Sequence, residues 1–308
     1  MKVNIPLLLK KTASNFIDDN SIKLAASLSY YTIFAIAPLL IVVMTLAGWF
    51  FGADAVQGKI YYQLNELIGN STALEVQTII KNIQTAKHTT AGTVIGVIAL
   101  VVGATGVFTE IQDSINFIWS IKVKPKKGWL KLITNRLLSF SLVVSLGFIL
   151  LVSLTANAVL DLLSDRLIIY FANVAVYFFY ILNYVIIFAV ISFMFAVIFK
   201  VLPDARIRWK DAFVGSVFTA MMFLIGKFLI GYYLGNSNIG ATYGAAASVI
   251  ILLLWVYYSS IILFFGAEFT QVYATEYGGG VIPYDNAVLI VKQEAREIRN
   301  PVTASKQP

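Results

Sequence analysis

The chain reads as an all-α polytopic membrane protein with six transmembrane helices and both termini cytoplasmic. Three observations predict this. Six apolar stretches run from Leu24 to Phe51, Ala91 to Trp119, Leu137 to Leu160, Val174 to Phe199, Ala212 to Gly235 and Ala245 to Ala274, each at least the roughly 20 residues a helix needs to cross hydrocarbon. With 59% hydrophobic and 13% charged residues and a mean hydropathy of +0.80, the chain has too little polar surface for a soluble protein. Lys and Arg are distributed unevenly around the stretches, as cytoplasmic retention requires. A β-barrel is excluded, because barrel strands alternate over about 10 residues and these runs are continuous and longer.

The first element, residues 1–23, is an amphipathic cytoplasmic segment. Ile5, Leu8, Leu9, Ala13, Phe16 and Ile17 recur at helical spacing among Lys10, Lys11, Asp18 and Asp19, so a helix lying in the membrane interface as a collar is expected. Residues 24–274 form the transmembrane domain. Its first stretch is too long for a signal-peptide core and is expected to remain as a span. Pro38 within it removes a backbone hydrogen bond and predicts a kink that frees carbonyls near Phe34. Just before it, Ser27, Ser29, Tyr30, Tyr31 and Thr32 line a cavity or join helices, the second being the commoner use of hydroxyls in a membrane.

An outer insertion, residues 54–90, follows. Ile60, Leu64, Leu67 and Ile68, then Leu74, Ile79, Ile80 and Ile83, predict two short amphipathic helices broken at Gly69-Asn70-Ser71. They either cap the bundle or contact an envelope protein partner. In the second span Gly92, Gly96, Ala99, Gly103 and Gly106 alternate spacings of four and three, a close-packing stripe that lets a neighbouring backbone approach. The same stripe continues into Glu110, Asp113 and Phe117. Carboxylates in a span are expensive and so are candidates for function, although a wet vestibule or a helix cap would also hold them. With Glu110 facing inward, desolvation and Asp113 would raise the pKa of one member of the pair and permit proton relay.

The next connection carries Lys122, Lys124, Lys126, Lys127, Lys131 and Arg136 without an acid, which places it in the cytoplasm and makes it a contact for anionic lipid headgroups. Lys2, Lys10, Lys11 and Lys23, then Lys200, Arg206, Arg208 and Lys210, then Lys292, Arg296, Arg299 and Lys306 bring the inner total to eighteen. Lys59, Lys81, Lys87 and Arg166 are the four outside. This bias accounts for the net charge of +7 without nucleic acid as a partner.

Lys227 sits in span five about eight residues, roughly 12 Å, from the outer end at Gly235, far for snorkelling. An inward position is expected, with carbonyls, Asn183, an acid or an anionic substrate as partner. Glu268 in span six is near the cytoplasmic end, closer in depth to Glu110 and Asp113 than to Lys227. Asn116 belongs to the same polar set as these acids. Gly231 and Gly235, then Gly240 and Gly244, predict a tight hairpin between spans five and six. The tail, residues 275–308, is polar after Gly278-Gly279-Gly280 and expected to be loosely ordered, with a short helix near Gln293 to Ile298.

Cysteine is absent and His88 is the single histidine, so the sequence offers no thiolate, no metal constellation and no cofactor motif. No nucleophile, base and orienter can be assigned to one site. The sequence therefore predicts a non-enzyme: a transporter-like protein moving a lipid or small amphiphilic solute through a polar cavity, or alternatively a scaffold holding an envelope partner.

Four blocks resemble the YihY/BrkB family of bacterial inner-membrane proteins. They are Ala25-Ala26-Ser27-Leu28-Ser29-Tyr30-Tyr31-Thr32 through Ala37-Pro38-Leu39; Ala104-Thr105-Gly106-Val107-Phe108 through Gln112, Asn116 and Trp119; Leu202-Pro203-Asp204 through Trp209-Lys210-Asp211-Ala212; and Tyr243-Gly244 through Leu254-Trp255-Val256-Tyr257-Tyr258 to Gly266-Ala267-Glu268. Together they cover roughly residues 10 to 275. Lys227 falls where that family's pattern often has a Lys. The resemblance implies a six-helix fold in the inner membrane and transfers little chemistry. Some members carry the name ribonuclease BN, which this sequence does not support, since it lacks a His-rich metal motif.

Overall fold

The structure is a computed structural model that describes residues 3–35, 70–85, 90–124, 174–237 and 239–291. Pro38, Lys126, Lys127, Lys131, Arg136 and the third apolar stretch lie outside the described residues.

Helix α1 (Ile5–Asp18) begins where the Asn4 side chain accepts a hydrogen bond from the Leu7 amide at 3.3 Å, with Pro in its first turn. Such a cap satisfies one of the donors that a helix start leaves open. The helix ends at Asn20, whose φ of 51° is left-handed and tolerated by a short polar side chain. From there α2 (21–35) sets off. The buried stripe of α1 is Leu8, Thr12 and Phe16.

Beyond α3 (Asn70–Thr85) comes α4 (Thr90–Ile118), then β1 (Ile121–Val123), α5 (Val174–Val201), β2 (Ala205–Arg206), α6 (Trp209–Asn236), α7 (Ile239–Tyr243) with a 3-10 turn to Ala246, α8 (Ala247–Glu276), β3 (Ile282–Pro283) and β4 (Ala287–Leu289). Among the described residues, 184–201 in α5, all of α6 and 249–276 in α8 are long and apolar enough to cross a membrane. The stop of α5 follows from Pro203, which disfavours helical backbone at the preceding residue.

The fold is mostly helical, as expected. Two antiparallel strand pairs sit at one end of the bundle: β1 with β4, in the register Ile121↔Leu289, and β2 with β3, in the register Arg206↔Ile282. The segment after Gly278, expected to be loose, is an ordered strap. It starts where the Gly279 amide donates to Asp211 Oδ2 at 2.9 Å. The open side of Gly279 faces the Arg208 side chain, with Cδ 2.7 Å from where a Cβ would stand. The strap then crosses Asp204, whose carbonyl accepts from the Tyr284 amide at 3.1 Å, and reaches Ser120, whose carbonyl accepts from the Ile290 amide at 2.8 Å. Polarity alone did not predict these strands, because their partners are the two connections distant in sequence.

The core at this end joins Ile115, Ile118 and Trp119 of α4 to Phe199 of α5, Ala220 of α6 and Phe264 and Ala267 of α8, all buried. Helix α1 is not simply a collar in lipid. Its Leu8 packs with Phe269 and Val272, Phe16 meets Phe265 at 5.5 Å between ring centroids, and Lys11 is ion-paired with Glu276.

Helices α6 and α8 run antiparallel through a reciprocal joint. The open side of Gly215 faces Thr270, and that of Gly266 faces Thr219; a Cβ on either glycine would lie 2.8 Å from the threonine Cβ opposite. Each threonine hydroxyl donates to the glycine carbonyl four residues before it on its own helix, Thr219 to Gly215 at 2.7 Å and Thr270 to Gly266 at 2.6 Å. The two threonine hydroxyls are thus satisfied within their own helices. The expected hairpin is present, but its tight contacts are here. Gly231 and Gly244 meet nothing within 4 Å among the described residues.

Candidate functional site: a polar set inside the helix bundle

Helix α4 brings two kinds of polar residue together. At its end, Asn116 is buried and clasps Asp204. The Asn116 Nδ2 donates to Asp204 Oδ2 at 2.8 Å, while the Asp204 amide donates back to Asn116 Oδ1 at 2.8 Å. Gln112 Nε2, one turn earlier, donates to the same Asp204 oxygen at 3.0 Å. Hydrogen bonds to a charged acceptor contribute about 1.5–3 kcal/mol each, so this knot fixes the connection after α5 against the end of α4. Next to it the Trp119 indole N–H donates to the Ala267 carbonyl at 3.0 Å. The roles of Asp204 and Gln112 were not assigned from sequence. Their signal is an acid directly after Leu202-Pro203 at the exit of a span, which needs a donor pair at helical spacing elsewhere.

Glu110 is half-buried, but Asp113 is exposed, as is Phe117. The acids therefore do not share one interior face. Beyond Gly106 the buried positions of α4 and its end are Ser114, Ile115, Asn116, Ile118 and Trp119, and Asp113 lies outside that set. Gly103 and Gly106 do form a seam with α2, as the stripe predicts. A Cβ on Gly103 would lie 3.1 Å from Ala35 Cα, and one on Gly106 would lie 3.2 Å from Tyr31 Cδ1. Gly92, Gly96 and Ala99 lie on the same helix, with side-chain surroundings outside the described set. Tyr30 and Tyr31 are both exposed, at 60% and 43%, and Tyr30 makes an edge contact with Phe34 at 5.1 Å. Lys122 and Lys124 are exposed at β1 and just after it.

Lys227 is half-buried and lies on the face of α6 that carries buried Ala220 and Leu234, seven residues to either side and so nearly in line on a helix. The reciprocal joint sets its depth. Gly215 opposite Thr270 and Thr219 opposite Gly266 fix the antiparallel register, and Gly226 accordingly faces Tyr258. Lys227 thus lies level with Tyr257 and Tyr258. Glu268, wholly buried, is ten residues further along α8, about 15 Å away. The parallel register of α4 and α8, anchored by Trp119 on Ala267, brings Glu110 to within about a turn of the Lys227 level. Val107 and Ile111, flanking Glu110, pack in the same cluster as Phe223, Leu224 and Tyr257. By depth, then, Glu110 belongs with Lys227, and Glu268 belongs with the Trp119 end of α4. The expected grouping of Glu268 with Glu110 is corrected on this point.

A family model described as Virulence factor BrkB matches residues 12–283. A UPF0761 membrane protein of Saccharophagus degradans is 31% identical over 262 residues, 84% of this chain and 58% of that protein. One from Teredinibacter turnerae is 30% identical over 81% of this chain and 56% of its own length, and one from Pseudomonas aeruginosa is 30% identical over 83% and 60%. The chain thus spans less than two thirds of the length of these relatives. No solved structure matches. With a match that runs from α1 through the strap and relatives that are themselves named membrane proteins, the chain is an integral membrane protein belonging to the Virulence factor BrkB family.

Proposed function

We propose that the chain is a transporter of the bacterial inner membrane that passes a lipid or small amphiphilic solute along polar side chains inside its helix bundle. The observation that supports this most is the common depth of Glu110 and Lys227. Helix α6 has 28 residues, so Lys227 lies only about 7 Å from its midpoint. A charge near the bilayer centre costs about 2.5–3.5 kcal/mol on insertion scales, a cost that packing alone would remove by substitution with leucine. A cation and a carboxylate at one level, with Tyr31 of α2 packed on Gly106 one turn from Glu110, suit a ligand with a charged head and an apolar body. Movement would use a gradient coupled through the acids, a downhill path, or an ATP-using partner. No covalent chemistry is needed, and the eighteen-to-four basic asymmetry supports an orientation with both termini and the strands in the cytoplasm.

Reconstitution of the pure protein in liposomes with labelled lipids and amphiphiles tests the reading. Wild type should move a substrate that Glu110→Gln and Lys227→Met move at least tenfold more slowly, while both variants insert normally. No movement under any gradient would leave the scaffold reading. That alternative is favoured by one observation, the packing of α3 through buried Thr72, Ala73 and Val76 against the bundle, which gives the outer insertion a fixed surface for an envelope partner.

A further inference from the structure

The segment that joins α5 to α6 and the strap that crosses it carry an amphipathic surface that the transport reading does not use. Arg206, Arg208 and Lys210 are exposed, with Trp209 between them exposed at 58%. Ile207 is buried, so the extended backbone turns the two arginines outward together. On the strap, Ile282 is the cross-strand partner of Arg206 and is 59% exposed. Opposite residues of an antiparallel pair point to one face, so an aliphatic tip stands beside a guanidinium. The Arg206 guanidinium lies 5.1 Å from the Tyr284 ring centroid, and the Lys200 ammonium lies 5.6 Å from that of Trp209.

Among the described residues, none of the nearby acids forms an ion pair with these cations. Asp204 accepts from Gln112 and Asn116, Asp211 accepts from the Gly279 amide, and Glu276 pairs with Lys11. Asp285, in the turn between β3 and β4, forms no ion pair with the three cations among the described residues. The surface also has a defined height. The 28 residues of α6 span about 42 Å against a hydrocarbon core of about 30 Å, so its first turn and Arg206–Arg208 lie in the headgroup layer.

We propose that this surface is a binding site for anionic phospholipid, in which Arg206, Arg208 and Lys210 hold the headgroup phosphate while Trp209 and Ile282 seat against the upper acyl chain. Cations take the phosphate, the aromatic ring suits the interface, and the apolar tip excludes a purely aqueous ligand. The site is independent of Glu110 and Lys227, so it stands or falls apart from the transport reading.

The test is native mass spectrometry of the full chain released from nanodiscs of phosphatidylglycerol mixed with phosphatidylcholine. Wild type should retain phosphatidylglycerol selectively, and each of Arg206→Gln, Arg208→Gln and Lys210→Gln should weaken retention about fivefold, whereas Arg206→Lys should weaken it less. In a second arm, a spin label on Ile282→Cys, a unique thiol in this Cys-free chain, should be relaxed by oxygen more than by an aqueous nickel chelate. Equal retention of both lipids by wild type, unchanged retention in the three Gln variants, or a label in bulk water would each overturn the proposal. Displacement of the lipid by excess inorganic phosphate would also overturn it, by identifying a soluble anion as the occupant.

Discussion

Two glycine seams hold this molecule together, and the one that stands out in the sequence is the looser. Along α4 the glycines form a conspicuous stripe, yet an added Cβ at Gly103 or Gly106 would sit 3.1–3.2 Å from its neighbour, a gap that a shift of a few tenths of an ångström relieves. Between α6 and α8 the glycines are isolated, yet Gly215 and Gly266 are each closed by a threonine that comes within 2.8 Å of the missing Cβ. The difference lies in the partner. A β-branched threonine has a stiff χ1 and cannot move aside, whereas α2 meets α4 with the small Ala35 and the ring edge of Tyr31. Seam strength thus follows from what faces a glycine, not from how many glycines share a stripe.

The largest effect is expected at the reciprocal joint. Gly215→Ala and Gly266→Ala should each destabilise the bundle by about 3 kcal/mol or more, since overpacking a rigid contact forces the backbones apart. Combining Gly215→Ala with Thr270→Gly, which transfers the vacant position across the joint, should restore most of the loss apart from about 1 kcal/mol for glycine in a helix. Thermal unfolding in detergent measures both. A double variant as unstable as the single one would show that the glycine serves backbone flexibility and not the approach of α8.

Gly226→Ala comes next, at about 1–2 kcal/mol. Its neighbours are the Tyr258 hydroxyl and Ile262 Cδ1, both at the ends of side chains that can rotate. Tyr258→Phe, by removing the hydroxyl, should recover part of the Gly226→Ala loss. If it recovers nothing, the ring edge at position 258 and Ile262, not the hydroxyl, set the contact.

This ranking also separates what the sequence disclosed from what it hid. Hydropathy located the described spans, because burial in lipid leaves a direct trace in composition. The depth of Lys227 was legible too, since it needs only a count along one helix. Residue pairs between helices were not. Nothing local to Asp204 announces Asn116 and Gln112, and the polar tail after Gly278 reads as loose until β1 and β2 are available to pair with it. Asp113 was misread because a stripe defined by spacing ignores which partner ends where. The one signal overlooked is a repeated spacing: Gly215 and Thr219, and Gly266 and Thr270, are both Gly followed by Thr four residues on, in adjacent spans. That repetition is what an antiparallel reciprocal joint requires, and it could have replaced the expected contacts at Gly231 and Gly244.

The smallest effects provide the sharpest test, because they differ in sign. Gly103→Ala brings a methyl to 3.1 Å from the Ala35 backbone, so the gain from helix propensity and the cost of moving α2 nearly cancel, and a destabilisation of no more than about 1 kcal/mol is expected. Gly231 belongs to the same sequence-legible class, a small residue four positions from another glycine, yet among the described residues its Cβ position meets nothing within 4 Å. Gly231→Ala should therefore stabilise the protein, by about 0.4–1 kcal/mol, through the restricted backbone of the unfolded chain. A lower unfolding temperature for Gly231→Ala would mean that another helix closes on that face, and the ends of α6 and α8 away from the strands would then hold a second close joint. A higher one would confine the tight packing to the stretch from the Gly–Thr crossing to Gly226 and leave the last turns of α6 free to move against their described neighbours.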